Sequence, residues 1–153
     1  NSLINKGTIL ASNQVHFSLV NRKIESNGIM DTAKRLGVTI ISWSPLEQGL
    51  LTGKFHKNPE LLRSRPFLRR FYLGKILNKS QELINCLEEI SNIHNKSISQ
   101  VALNWMISYF GDTVVVIPGS TKAQHARESA GSMSFTLSVE EMSRIDEASA
   151  KFK

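Results

Sequence analysis

A single cysteine, Cys86, stands in 153 residues, so no internal disulfide can form. Its place in an apolar helical pattern predicts a core thiol rather than a nucleophile. No apolar run approaches the roughly 20 residues that a bilayer-spanning helix needs, and no membrane partner is expected. Low-complexity segments are missing, and no internal repeat is seen beyond a strand–helix alternation. The opening residues, NSLINKG, show neither an initiator Met nor a signal-peptide pattern, which leads us to expect a further piece before Asn1. Tyrosine is scarce: Tyr72 and Tyr109 are the two in the chain.

What is present reads as one globular domain. The apolar fraction of 41% and the charged fraction of 21% are ordinary for a folded chain of this length. The formal charge is +6, and part of the excess lies in residues 63–79, RSRPFLRRFYLGKILNK. Basic residues interleaved with Phe67, Phe71 and Tyr72 could suit a phosphorylated ligand or a nucleic acid, or form a solvated loop pinned by its aromatics. No nucleic-acid reading motif accompanies the charge, and no nucleic-acid partner is expected.

Along the chain, Gly7 ends a short leading segment. Residues 9–19 follow, in which Val15, Phe17 and Leu19 alternate as in a strand. Ile29, Met30, Ala33 and Leu36 fall at helical spacing and Gly37 marks that helix's end. Residues 38–41 predict a short strand running into Trp43-Ser44-Pro45. Residues 46–79 show no sustained period and read as a functional or covering loop. Leu83, Leu87 and Ile90 line one face of a helix that ends at His94-Asn95. Ser97-Ile98-Ser99-Gln100 is a capping box opening a helix with Val101, Ala102, Trp105 and Met106 inward, stopped by Gly111. Ser138-Val139-Glu140-Glu141 is a second capping box, opening a last helix with Met142 and Ile145 on its inner side.

Residues 113–130, TVVVIPGSTKAQHARESA, organise the rest. A β-branched run ends at Pro118-Gly119, two hydroxyl residues follow, and a helix begins near Ala123. Free N–H groups of a first helical turn and the helix dipole favour an anion there, with Lys122 and Arg127 adding charge. A phosphate is the natural guest; an ordinary strand-to-helix connection is the alternative. The alternation implies parallel strands with right-handed crossovers. Three such strands would leave long edges and a bare apolar face, as in part of a larger sheet.

The segments ASNQVHFSLVNR, GVTIISWSPLEQGLLTGKF, SQVALNWMI, VIPGSTKAQHARESAG and LSVEEMSRIDEAS, in this order and spacing, resemble the C-terminal half of an aldo-keto reductase. The SWSPL…GLLTGK and IPG…ARES segments are specific when they occur together. The IPG loop is similar to that of a branch with bacterial and plant plastid-type oxidoreductases. The resemblance implies an α/β fold, the C-terminal portion of a (β/α)8 TIM barrel, with strands six to eight, their helices and a C-terminal helix. Residues 1–153 would then be a partial NADP-dependent oxidoreductase domain whose N-terminal half of the barrel is missing. Barrel enzymes carry their sites at the C-terminal strand ends, often with phosphate after strands seven and eight.

By this resemblance the cofactor is NADPH/NADP, and Gln14 bonds the nicotinamide carboxamide while Trp43 stacks on the nicotinamide ring. Ser44, Pro45, Leu46, Gln48, Gly49 and Lys54 line the pyrophosphate. Gly119, Ser120, Thr121 and Lys122 hold the 2′-phosphate and ribose, with His125, Glu128 and Ser129 near the adenine. Ordinary alternatives are an interior polar contact for Gln14, a core tryptophan for Trp43, a covering loop for 44–54, and exposed helix surface for His125 and Ser129. Arg65, an alternative phosphate contact, reads as solvated. A common form of the motif has Lys at the place of Gly119, with Arg and Asn at those of His125 and Ser129. Fewer cations at these places weaken the preference for NADPH over NADH, although Lys122 can compensate.

The family's chemistry uses a tyrosine acid tuned by lysine and aspartate, with a histidine that orients the substrate. The resemblance puts these in the other half of the barrel. Tyr72 and Tyr109 match no such motif, and His16 reads as structural. No catalytic residue and no metal ligand is therefore assigned in this chain. Its parent would reduce aldehydes or ketones to alcohols by hydride transfer, with a small-molecule carbonyl substrate engaged only by the complete barrel. A non-catalytic NADPH-binding regulatory protein, similar to channel β-subunits, is the second reading. The expected compartment is the cytoplasm, or a plastid where a transit segment precedes Asn1.

Overall fold

The structure, a computed structural model, describes residues 10–153. The Gly7 break and the start of the first strand at Ile9 lie outside the described residues. Three strands, β1 (Ser12–His16), β2 (Thr39–Trp43) and β3 (Val114–Ile117), form one sheet in that order. Both pairings are parallel, with Gln14 opposite Ile41, His16 opposite Trp43, and Trp43 opposite Ile117. Parallel neighbours need a crossover. Helix α1 (Ile29–Leu36) supplies the first, and Gly37 ends it in the left-handed region at φ +63°. The return from β2 to β3 is longer and passes through α2 (Lys54–Lys57), α3 (Phe67–Leu77), α4 (Gln81–His94) and α5 (Ile98–Tyr109). Beyond β3 come α6 (Ala123–Ala130) and α7 (Val139–Ser149).

Side chains alternate between the two faces of a strand, and here the faces differ sharply. Ile40, Ser42 and Val114 are buried beneath the helices. Gln14, Trp43, Val115 and Ile117 are exposed on the other face. Parallel sheets normally have both faces covered, so this sheet fits part of a larger one. The core lies on the helical side. Leu83, Leu87 and Ile90 of α4 meet Val101, Trp105 and Met106 of α5 and Ile145 of α7, all buried. Trp105 donates its indole N–H to the Met142 carbonyl at 3.0 Å, so its polar atom is satisfied inside the core.

Both capping boxes are formed. Ser97 accepts from the Gln100 backbone N–H at 3.3 Å while the Gln100 side chain accepts from the Ser97 N–H at 2.9 Å. Ser138 and Glu141 make the same exchange at 3.2 and 2.7 Å. A buried guanidinium fastens the C-terminal helix. Arg22 bonds Glu25, Asp146 and Ser149, and its charge lies 4.7 Å from the centre of the Trp105 ring.

Four expectations need correction. The alternation through Leu19 does not continue the first strand, which ends at His16. Phe17 and Leu19 are buried in a turn instead, because Ser18 and Asn21 exchange their backbone bonds locally. The second strand begins at Thr39 and runs on to Trp43, beyond the expected 38–41. Residues 46–79 are largely helical turns, including the 11 residues of α3. That helix shows no apolar stripe, since it buries Leu73 while Phe67, Leu68 and Phe71 face outward. Cys86 is half-buried rather than in the core, and its desolvation pushes the thiol pKa up. Among the described residues no helix is long and apolar enough to cross a membrane.

Candidate functional site

The C-terminal ends of β2 and β3 open onto one groove of about 600 Å³. Its first wall is the loop after Trp43. This loop turns so tightly that Ser44, Glu47 and Gln48 take φ of +54°, +45° and +55°, and Gly49 takes +92°. Non-glycine residues rarely occupy this region, and they hold it only where surrounding bonds impose it. Here the Glu47 N–H donates to the Ser44 carbonyl at 2.8 Å, and the Gly49 and Leu51 N–H groups donate to Leu46 at 3.0 and 3.2 Å. The Thr52 hydroxyl closes the loop onto the Gly49 carbonyl at 2.8 Å. Lys54 then folds back over Gly49, where a Cβ would stand 2.9 Å from the Lys54 Nζ.

The opposite wall is formed where β3 passes through Pro118-Gly119 into α6. The floor is the start of α5, with Ser97 and Ser99. Ser99 donates to the Glu128 carboxylate at 3.0 Å, and the Gln100 side chain donates to the Glu128 carbonyl at 3.0 Å, so α6 is pinned to α5.

Most of the residues singled out in the sequence meet here. Ser44, Pro45, Leu46, Gln48, Gly49 and Lys54 line one wall, and Gly119, His125, Glu128 and Ser129 line the other. Ser120, Thr121 and Lys122 do not line the groove; they are exposed where α6 begins, with the Ser120 hydroxyl donating to the Lys122 carbonyl at 2.8 Å. Gln14 and Trp43 are also outside it, on the bare face of the sheet. Trp43 is 41% exposed, and His16 stacks on it at 4.2 Å between ring centroids and 16° between planes. The reading of Trp43 as a core tryptophan therefore does not hold.

Arg69, Thr52, Ser97 and Ser99 line the groove without having been singled out for it. Arg69 sits in the basic run and bonds the Gln48 side chain from α3. Ser97 and Ser99 were legible as a helix start but gave no sign of a second use. Arg65 is not the solvated residue expected. It is half-buried, lies over the Phe55 ring at 5.6 Å, and its buried Nε has no hydrogen-bond partner.

Electrostatics favours an anion at this end. Burial, and then repulsion from Arg65 and Arg69, holds the Lys54 ammonium pKa below the ordinary lysine value. Three cations thus gather around a left-handed loop, with an orphaned guanidinium N–H among them. Lys54 and Arg69 line the groove with Arg65 close by, a concentration of positive charge that favours an anion. Among the described residues, no cluster of three or more His, Cys, Asp or Glu is arranged to hold a metal ion.

The sequence profile of the Aldo/keto reductase family matches residues 3–150, nearly the entire chain. The chain belongs to this family. Probable pyridoxal reductase 2 of Schizosaccharomyces pombe is 31% identical over 138 residues, covering 87% of this chain and 41% of that protein. The chloroplastic pyridoxal reductase of Arabidopsis thaliana is 33% identical over 143 residues, covering 94% and 37%. The solved thermostable aldo-keto reductase Tm1743, in complex with the inhibitor epalrestat, aligns with a TM-score of 0.64 at 26% identity, covering 90% of this chain and 39% of that one. A Gox0644 variant solved with NADPH aligns at 0.61 and 16% identity, covering 95% and 41%, a likeness of fold alone. This aldo-keto reductase chain therefore spans about two fifths of the length of the relatives it matches. Its parallel sheet and helices fit a partial (β/α)8 barrel.

Proposed function

We propose that the groove binds NADP(H) and that the chain is the cofactor-holding part of an NADP-dependent carbonyl reductase. The observation that carries this reading is the cation cluster of Lys54, Arg65 and Arg69 beside the left-handed loop, which lies at the strand ends where barrel enzymes hold phosphate. Ser44, Pro45, Leu46, Gln48, Gly49 and Lys54 would hold the pyrophosphate, joined by Arg69. Gly119, Ser120, Thr121 and Lys122 would take the ribose and its 2′-phosphate, and His125, Glu128 and Ser129 the adenine. Gln14 and Trp43 would receive the nicotinamide.

When bound, this cofactor supplies a hydride to a carbonyl carbon. The chain's own part is to bind and to orient. The Trp43 ring offers a flat face that fixes which side of the nicotinamide is presented, and Gln14 fixes its rotation by hydrogen bonding. No proton donor for the carbonyl oxygen is assigned to these residues. We read the three strands as the sixth to eighth of the barrel, and residues 1–153 as part of one oxidoreductase domain whose first half lies outside this stretch. The substrate would be an aldehyde or ketone engaged by the complete barrel.

Titration of the 153-residue chain with NADPH, followed by tryptophan emission, tests the reading. Saturable quenching is expected, and Trp43→Leu should weaken binding roughly three- to tenfold, the worth of one aromatic stack. Circular dichroism verifies that both proteins are folded. A folded chain whose emission ignores NADPH sinks the proposal.

A further inference from the structure

Among the described residues Glu47 is the one buried acid, and it sits where an acid is poorly suited to the backbone. Its φ of +45° is a conformation glycine adopts freely and other residues hold under strain. Ser44 and Gln48 share that region, and what sets Glu47 apart is a carboxylate that is buried and bonded on both oxygens. The two carboxylate oxygens divide their work between different parts of the fold. Oε1 accepts from the Tyr72 hydroxyl of α3 at 2.9 Å. Oε2 accepts from the Ser18 hydroxyl at 2.8 Å and meets the His16 Nε2 at 3.0 Å.

Two of these partners lead to different parts of the proposed cofactor site, His16 to the bare face of the sheet and Tyr72 to the groove wall. The His16 ring, held at its Nε2 edge, is the one stacked on Trp43. Tyr72 lies one turn along α3 from Arg69, which bonds Gln48 in the groove wall. One carboxylate thus ties the indole at the end of β2 to the helix that delivers a cation to the phosphate end. Burial, and then the Glu47 charge, pushes the Tyr72 pKa up, so the phenol stays a donor across the neutral range.

We propose that Glu47 is a positioning residue for the proposed cofactor site, bracing the Trp43 ring through His16 and seating α3, with Arg69, through Tyr72. The inference rests on the NADP(H) reading above. It goes further in assigning a role to a residue that touches no cofactor. A merely structural Glu47 would change stability but leave the ring and the affinity of the folded protein as they were.

The test uses the 153-residue chain with Glu47→Gln, Tyr72→Phe and His16→Ala, each also made in a Trp43→Leu background so that the Trp43 emission is obtained by difference. Tyr72→Phe removes one hydroxyl and no charge, which keeps the question open to measurement if Glu47→Gln does not fold. Circular dichroism confirms folding throughout. All three folded variants should alter the Trp43 emission and bind NADPH roughly five- to tenfold more weakly, about the net worth of one ordinary hydrogen bond. Unchanged emission and affinity in folded Tyr72→Phe and Glu47→Gln overturn the role of Glu47 while leaving the cofactor reading intact. Tighter binding by His16→Ala also overturns it, since the imidazole would then obstruct the indole rather than brace it. Failure of the unaltered folded chain to bind NADPH overturns the cofactor reading and this role together.

Discussion

Replacing Arg22 by Met removes a guanidinium that is completely buried and leaves a side chain of similar reach. The group it removes is heavily used. Nε and Nη2 bond the two Glu25 oxygens at 2.6 and 2.7 Å, Nη2 bonds Asp146 at 2.5 Å, and Nη1 bonds the Ser149 hydroxyl at 2.5 Å. Taking one partner from a buried ion pair costs about 3–5 kcal/mol, chiefly because the other charge is left unpaired. Here the side chains of Glu25 and Asp146 retain 13% and 23% exposure, and Lys153 stands 3.1 Å from Asp146, so part of that loss is recovered. We therefore expect about 3 kcal/mol, near the lower end of that range. For a domain of this size that lowers the melting temperature by about 6–12 °C. The triple variant Arg22→Met/Glu25→Gln/Asp146→Asn should regain more than half of the loss, since the one charge it leaves unpaired, on Lys153, is exposed. Thermal melts followed by circular dichroism decide it. A single variant that melts within about 2 °C of the parent, or a triple variant no better than the single one, refutes the argument.

Two further outcomes follow from the same geometry. Gly49→Ala forces a Cβ into φ +92° and to within 2.9 Å of the Lys54 Nζ, so it should destabilise by about 1–2 kcal/mol and weaken NADPH binding; Gly74→Ala, in open helix surface, should stabilise by about 0.5–1 kcal/mol. Urea titration gives both signs. Burial would raise the carboxyl pKa of Asp146 and of Glu141, but hydrogen bonds to Asp146 from Arg22 and Lys153, and to Glu141 from Ser138 and His94, outweigh it and hold both below the ordinary values. Such groups add stability that is fully present above the unfolded carboxyl pKa and is lost as pH falls through the lower folded values. The contribution of these two carboxylates should therefore hold from pH 7 to about pH 5 and be lost below about pH 4, with α7 the element that loosens. A chain whose urea midpoint does not fall between pH 5 and pH 3 contradicts this.

The fold was legible wherever a local pattern carries the geometry. Ser97–Gln100 and Ser138–Glu141 specify helix starts within four residues, and the β-branched run of 114–117 before Pro118 specifies a strand, although Val115 and Ile117 of it are exposed. Residues 67–77 were opaque because a helix that buries Leu73 alone writes no apolar period into its sequence. The candidate site divides along the same line. Ser44–Lys54 and Gly119–Ser129 stand at the ends of recognisable strands, so their convergence could be read from the order of elements. Arg69 could not be placed, since nothing in the run 63–79 says which of its cations turns inward. Glu47 was hidden in a different way. Its partners His16, Ser18 and Tyr72 lie 31, 29 and 25 residues away, and only the folded chain brings them to one carboxylate.

The loop after Trp43 has a consequence for the thermodynamics of whatever enters the groove. Its unusual torsions are already locked by its own backbone bonds and by the Thr52 hydroxyl, so a ligand meeting that wall does not have to order it. Across the groove, Ser120, Thr121 and Lys122 are exposed, and fixing them on a ligand consumes rotamer freedom. The two walls thus differ in entropy before anything binds. Contacts to the loop should register calorimetrically as nearly undiluted enthalpy, while contacts to the start of α6 should be offset by ordering. Preference between ligands that differ only at the second wall will accordingly be shallower than the charges there suggest.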